Sequence, residues 1–293
     1  MILTFGSINA DLLVPVPRLP QPGETVLGSS YRILPGGKGA NQALAARRAG
    51  AEVMLAGAVG RDFFAALALG TLRAEGVDTR LVHDLELPTG CAAIMVSAAG
   101  ENMIAVAPGA NAGVRCEWVP DELLGANTTV VGQLEVPLGE TEVLIGRARR
   151  HGGRCLLNLA PALPIDLGLL SDIDLLVANE SEAAIMSPDP MGIARRLRQA
   201  LVVTRGAAGA SAFLANGSRL DLPALPIVPV DTTGAGDTFV GVLAATLDLG
   251  ADLKAALRRA SAAAGLACLA HGGQTAMPGM TAIDSAVANL PQG

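Results

Sequence analysis

Short apolar runs alternate along this chain with longer stretches in which apolar residues recur every three or four positions. The short runs predict strands at Ile2–Phe5, Val53–Ala58, Thr129–Val131, Cys155–Leu159, Leu175–Ala178, Leu201–Thr204 and Ser211–Ala215. The longer ones predict helices at Ala40–Ala49, Phe63–Glu75, Glu140–Arg150, Met191–Gln199, Phe239–Leu249 and Leu253–Ala270. Gly50 stands where a helix C-cap would fall. A further strand-like run, Ile227–Val230, leads into the sequence DTTGAGDTF. Alternation of strands and helices predicts an α/β fold whose mainly parallel central sheet carries helices on both faces. No internal repeat and no linker divides the chain, so residues 1–293 are expected to form one unit.

Two segments break this pattern. Residues 10–35 carry five prolines among several strand-like pieces. In residues 90–107, CAAIMVS and MIAVA flank AAGEN and predict a β-hairpin. Two extended segments set apart from the α/β core can form a small sheet over a binding cleft.

Composition narrows the class. Hydrophobic residues make up 51% of the 293 and charged residues 16%, enough apolar surface for a large core. The net charge of -6 and the absence of a Lys/Arg run argue against nucleic acid as a partner. Aromatic residues are only 2%, which weighs against recognition by base stacking. The four cysteines (Cys91, Cys116, Cys155, Cys268) form no C-x-x-C pair and read as reduced thiols of a cytoplasmic protein. The N-terminus lacks a basic n-region, so no signal peptide is expected. No apolar run is long enough for a membrane span.

The chemistry concentrates at strand ends and helix starts. In DTTGAGDTF, Gly234, Ala235 and Gly236 can turn backbone N–H groups toward an anion at a helix N-terminus. Asp237 either accepts the proton of an attacking hydroxyl or caps a helix after a glycine turn. GSINAD offers Asn9 and Asp11 as partners for polyol hydroxyls, or forms a polar turn. GGKGANQ, Gly36 to Gln42, lacks the Walker A spacing, yet its glycines permit close approach of a ligand. Glu135 follows the apolar TTVV and would face the same cleft. NESE reads as a capping box between Asn179 and Glu182, or as groups near Mg²⁺ and phosphate through water. Thr204, Gly206 and Gly209 of TRGAAG can line a nucleotide.

Taken in order, GSINAD, PGETV, GGKGANQ, GEN, PGAN, QLE, NESE and DTTGAGDTF resemble the motifs of the ribokinase-like (PfkB) family of carbohydrate kinases. The resemblance runs over nearly the whole chain. It implies ATP-dependent phosphorylation of a sugar, with the 5-hydroxyl of D-ribose as the expected acceptor. Asn9, Asp11, Gly37, Lys38, Asn41 and Glu135 would hold the sugar, and Asp237 would be the base. Gly234, Ala235 and Gly236 would form the anion hole. Asn179, Thr204, Gly206, Gly209, Gly236 and Ser261 would border the nucleotide, and Glu182 would reach Mg²⁺ through water. Asp231, Thr233, Ala267, Ala270, Gly272 and the position of Ala276 would surround an activating K⁺, mostly through carbonyls. Segments 10–35 and 90–107 would form the family's β lid and a homodimer interface.

Three places depart from the family's pattern. Ala276 stands where a serine is usual, Ser261 stands where Asn or His often borders the adenine, and the stretch after NESE is short. Within the family the rival readings are a nucleoside kinase and a fructose-6-phosphate kinase, the latter served by Arg18, Arg32 and Lys38. Outside it, the rival is a catalytically silent sugar-binding protein on the same fold.

Overall fold

The computed structural model describes residues 1–291. Its strands are β1 Ile2–Phe5, β2 Asn9–Val16, β3 Arg32–Gly36, β4 Val53–Gly60, β5 Asp78–Leu85, β6 Gly90–Ser97, β7 Asn102–Ala107, β8 Thr129–Gly132, β9 Arg154–Asn158, β10 Leu175–Asn179, β11 Ala200–Thr204, β12 Ala210–Leu214 and β13 Arg219–Leu222. The α-helices are α1 Lys38–Arg48, α2 Phe63–Ala74, α3 Leu138–Arg150, α4 Glu180–Met186, α5 Pro190–Ala194, α6 Ala235–Asp248, α7 Leu253–Ala267, α8 Gly273–Ala276 and α9 Met280–Val287.

Nine strands form one sheet in the order β13-β12-β11-β10-β9-β8-β1-β4-β5. Pairing is parallel from β11 through to β5, and antiparallel only at β11-β12 and β12-β13. Both faces are covered. Leu175 and Val177 of β10 join the core made with α1, α6 and α7, whereas Leu176 and Ala178 join the core made with α3 and α5. A strand buried on both faces has no polar side to show, which is why its sequence is an unbroken apolar run. Among the described residues no helix is long and apolar enough to cross a membrane.

The two irregular segments meet in a second sheet of order β3-β2-β6-β7. β2 pairs antiparallel with β3 and parallel with β6, and β6-β7 is the expected hairpin. β7 is exposed along its whole length, including Ile104 and Val106.

The parallel strands set the level of everything that follows. Phe5 is in register with Gly132, Gly132 with Leu157, Asn158 with Val177, and Asn179 with Thr204. The loops after β1, β8, β10 and β11 therefore leave one edge of the sheet together. Two close approaches then bring helices to that edge. A Cβ on Gly39 would lie 2.6 Å from Gly6 C and from Ser7 N, so only glycine lets α1 start against the loop after β1. A Cβ on Gly241 would lie 2.4 Å from Gln42 O, so α6 presses on α1 there. Asp237 sits one turn before Gly241 and so faces α1 as well.

The structure corrects three element boundaries. Ile227–Val230 is not a strand; Val228 is 86% exposed and Val230 53%. Pro223, Pro226 and Pro229 interrupt the stretch, and proline cannot donate to a ladder. The helix expected over Met191–Gln199 stops at Ala194. Arg198 N–H and Gln199 N–H donate instead to Ile173 O and Asp174 O at 3.0 Å, turning the chain into β11. The helix from Leu253 ends at Ala267, not Ala270. Cys268 O then accepts the N–H of Val230 at 2.8 Å, tying this helix end to the segment before Asp231. Strands β5 and β13 and helices α8 and α9 have no counterpart in the sequence pattern, and α4 is the helix that the capping box at NESE begins; β5 is an outer strand of half-buried residues without a continuous apolar run.

Candidate active site

Asp237 lies in the first turn of α6 and is 8% exposed. Gly234 caps this helix in the left-handed region at φ 75°. Ala235 N–H donates to Thr232 O at 3.2 Å, and Thr238 N–H reaches back to Gly234 O at 2.8 Å. Between them, Gly236 and Asp237 have N–H groups with no intrahelical acceptor, as at any helix start. Ala235 and Gly236, expected in a turn, are thus already helical, and α6 begins earlier than Phe239.

Two amides of α1 hold the Asp237 carboxylate. Asn41 Nδ2 donates to Oδ2 at 2.9 Å and Gln42 Nε2 donates to Oδ1 at 3.0 Å. Burial raises the pKa of Asp237 above the ordinary carboxylate range, Lys38 and the two amides oppose the rise, and Glu135 adds to it. The helix-cap alternative for Asp237 is not realised, since Gly234 is the cap.

Of the residues expected to hold a sugar, Glu135, Asp11 and Asn41 face the same carboxylate. Glu135 Oε2 accepts Ser7 Oγ–H at 2.6 Å and the Lys38 N–H at 3.2 Å. Asn9 Oδ1 accepts Asn111 Nδ2–H at 2.7 Å, and Asn111 Oδ1 accepts the Ile8 N–H at 2.9 Å. Asp11 rises from β2 with a buried Oδ1 that has no hydrogen-bond partner. Burial pushes its carboxyl from 3.8 up to about 7, helped by Glu135 and Asp237 and opposed by Lys38. A buried acceptor without a donor is costly, and a ligand hydroxyl would satisfy it. Burial alone would lower the Lys38 ammonium, but Asp237, Glu135, Glu182 and Asp11 hold it above its ordinary value.

Two clefts meet at this point. One is lined by Lys38, Asn158, Asn179, Glu182, Gly236 and Asp237. Lys38 thus lines the cleft at the start of α6 as well as facing Asp11 and Glu135. The neighbouring cleft is mostly apolar and is lined by Leu225, Ile227, Phe239, Ala264 and Cys268, with Gly206, Gly209 and Ser261 at its walls. Thr204 and Gly236 line both. The Ser261 hydroxyl is spent on Pro223 O at 2.7 Å, so it offers a small side chain rather than a donor.

Asn179 and Glu182 do form the capping box: Glu182 N–H donates to Asn179 Oδ1, and Asn179 N–H to Glu182 Oε2, both at 2.8 Å. They also line the cleft that holds Lys38 and Asp237. Asp231 accepts the N–H of Thr233 and of Gly272, each at 2.9 Å, joining the two segments expected around K⁺. Burial would raise its pKa, but these N–H donors and the nearby His271 lower it below the ordinary value. Sequence reading passed over Gln42, Gln133, Asn158 and Phe239. Gln42, Gln133 and Phe239 stand inside quoted motifs, and Asn158 is a polar residue directly after the apolar run Cys155–Leu157 of β9, which is the signal that could have found it.

The model for pfkB family carbohydrate kinases matches residues 1–280. The chain belongs to the pfkB family of carbohydrate kinases. This kinase is 37% identical to a ribokinase of Bacillus subtilis over 94% of its own length and 96% of the relative's. Its fold superposes on a ribokinase of Thermotoga maritima with a TM-score of 0.90, at 28% identity, covering 98% and 99% of the two chains. A ribokinase of Arabidopsis thaliana, solved in complex with ribose and ATP, superposes with a TM-score of 0.88 at 27% identity over 98% of each chain.

The Asp11 environment gives a direct test of the kinase's electrostatics. A carboxyl ¹³C titration of the ligand-free protein should place the Asp11 midpoint near 7. A midpoint at the ordinary carboxylate value of about 4 would contradict the burial described for it.

Proposed function

We propose that this kinase transfers the γ-phosphoryl group of ATP to the 5-hydroxyl of D-ribose, giving ribose 5-phosphate and ADP. The observation that carries the reading is the position of Asp237. It faces the cluster of Asp11, Glu135 and Asn41 at the start of α6, and lines the cleft of Lys38, Asn179 and Glu182 that shares Gly236 with the apolar cleft. The relatives named ribokinase support ribose as the sugar. Asn9, Asp11, Gly37, Asn41 and Glu135 hold the sugar hydroxyls. Asp237 takes the proton from the 5-hydroxyl as its oxygen attacks phosphorus, and its raised pKa brings it nearer the pH at which a base works best. Gly234, Ala235 and Gly236 present the helix N-terminus to the transferring group, and the Lys38 ammonium balances its charge. Asn179, Thr204, Gly206, Gly209 and Ser261 border the nucleotide.

The residues present fit the expected ions. Mg²⁺ keeps several waters beside substrate phosphates, and Glu182, which lines this cleft, can reach it through one of those waters. When bound it would neutralise phosphate charge. For K⁺, Asp231 and the carbonyls of Thr233, Ala267, Ala270 and Gly272 offer oxygen only, and Ala276 removes a side chain without removing a carbonyl. Asp231 already fixes the turn that leads into Gly234, so a cation there would stiffen the anion site.

The small sheet is proposed to close over the sugar and to pair with a second copy through its exposed apolar strand β7. Sedimentation should then show a dimer that Ile104→Glu dissociates, and a wild-type monomer at micromolar concentration would end that proposal.

An ADP-release assay with ribose, 2-deoxyribose, fructose 6-phosphate and adenosine tests the substrate. A site that hydrogen-bonds hydroxyls leaves its own groups unpaired with poorer matches. Ribose should therefore give a kcat/KM at least about tenfold above adenosine and fructose 6-phosphate. Equal or better efficiency with adenosine would make this a nucleoside kinase. In the same assay, K⁺ in place of Na⁺ at constant ionic strength should raise activity several-fold, and Asp231→Ala should erase the difference. Identical rates in the two salts would exclude a working monovalent site.

A further inference from the structure

Gln42 belongs to GGKGANQ but has no role in the reading above. It is 0% exposed and lines neither cleft. Its amide is fully used. Nε2 donates to Asp237 Oδ1 and to Asn158 Oδ1, each at 3.0 Å, and Oε1 accepts Gln133 Nε2–H at 2.8 Å. The direction of these bonds is set from the sheet. Asn158 Nδ2 donates to the main-chain carbonyl of Val177 at 3.1 Å, and a carbonyl can only accept. Asn158 Oδ1 is therefore the atom left facing α1, and Gln42 must present its nitrogen to it. The same nitrogen then points its second hydrogen at Asp237.

A second chain acts on the other oxygen: Gln274 Nε2 donates to Asn41 Oδ1 at 3.1 Å, and Asn41 Nδ2 donates to Asp237 Oδ2. Both oxygens of Asp237 thus meet donors. A proton on either edge facing these amides would set donor against donor. The carboxylate can neither rotate freely nor take up a proton there, and only its remaining lone pairs face the cleft.

We propose that Gln42 is a positioning residue for Asp237: anchored through Asn158 to the β10 backbone, it fixes the rotation of the carboxylate and reserves it as a proton acceptor. The inference rests on the reading of Asp237 as the base. The charged groups facing Asp237 are Lys38 at the start of α1, Glu135 in the loop after β8 and Asp11 on β2, while Glu182 of α4 acts on Lys38. These charges set the field around the carboxylate, and Gln42 sets its direction.

The test is the pH profile of kcat at saturating D-ribose and MgATP, where changes in sugar affinity at Asp11 drop out. It compares wild type, Gln42→Met, Gln42→Glu and Asp237→Asn, with ribose binding measured by calorimetry and folding by thermal unfolding. Gln42→Met removes the donor at similar volume. Its acid limb should move up by about one to two pH units, because losing a donor to a charged group disfavours the ionised form. Its plateau kcat should fall about tenfold or more while ribose Kd stays within about threefold. Gln42→Glu keeps the acceptor toward Gln133 and serves if the Met variant does not fold. It places a second carboxylate at Asp237, so its limb should move at least as far.

A folded Gln42 variant with the wild-type limb and plateau would overturn the proposal. If Asp237→Asn keeps more than a tenth of kcat, the base assignment itself fails. If Asp237→Asn is inactive but both Gln42 variants titrate like wild type, only the positioning role fails.

Discussion

A carboxylate buried to 8% exposure is the constraint on which the rest of this site depends. Left alone in a low-dielectric interior, Asp237 would take up a proton and could not act as the proposed base. The protein opposes this with one ammonium, Lys38, and two amide donors, Asn41 and Gln42. All three come from the first turns of α1, while the carboxylate comes from the first turn of α6. The ionisation of Asp237 therefore depends on how closely two helices pack. The packing is made possible by Gly241 against Gln42 O, and by Gly39 against the loop after β1.

The sheet supplies the other half of the geometry. Parallel strands in common register deliver Ser7 and Asn9, Glu135, Asn158, Asn179 and Thr204 to one edge. Helix α6 adds its N-terminus at that edge, so in the proposed reaction an anionic group and a base meet at a single helix start. The apolar cleft lies on one side of Gly236 and the cluster of Asp11, Glu135 and Lys38 on the other. This is a geometry in which the protein mostly positions its substrates and stabilises charge.

Much of this was legible in the sequence, for identifiable reasons. Strands such as β10 are buried on both faces, so LLVA marks them without ambiguity. The run Ile227–Val230 carries the same apolar signal yet forms no strand, because prolines deny it a ladder and no neighbouring strand accepts it. Met191–Gln199 reads as helix locally, but backbone pairing to Ile173 and Asp174 takes its last residues. In the site, DTTGAGD and GGKGANQ could also be read as a cap and a turn, and the resemblance of the whole motif set to one family, not the local pattern alone, marked them as a site. The amide network could not. Gln42 and Asp237 are 195 positions apart, and an amide's role is set by the partners it finds in space. Asp11 shows the same limit: its position was legible, but its raised pKa comes from burial beside Glu135 and Asp237.

The central claim is that the 5-hydroxyl of the sugar is handed to Asp237 at the start of α6. A crystal structure of the kinase with D-ribose and a non-hydrolysable ATP analogue measures this directly. The account places the ribose O5 within about 2.6–3.2 Å of an Asp237 oxygen, with the γ-phosphate against the N–H of Gly236. A ribose whose O5 faces Asp11 or solvent, with Asp237 still enclosed by Asn41 and Gln42, would contradict it.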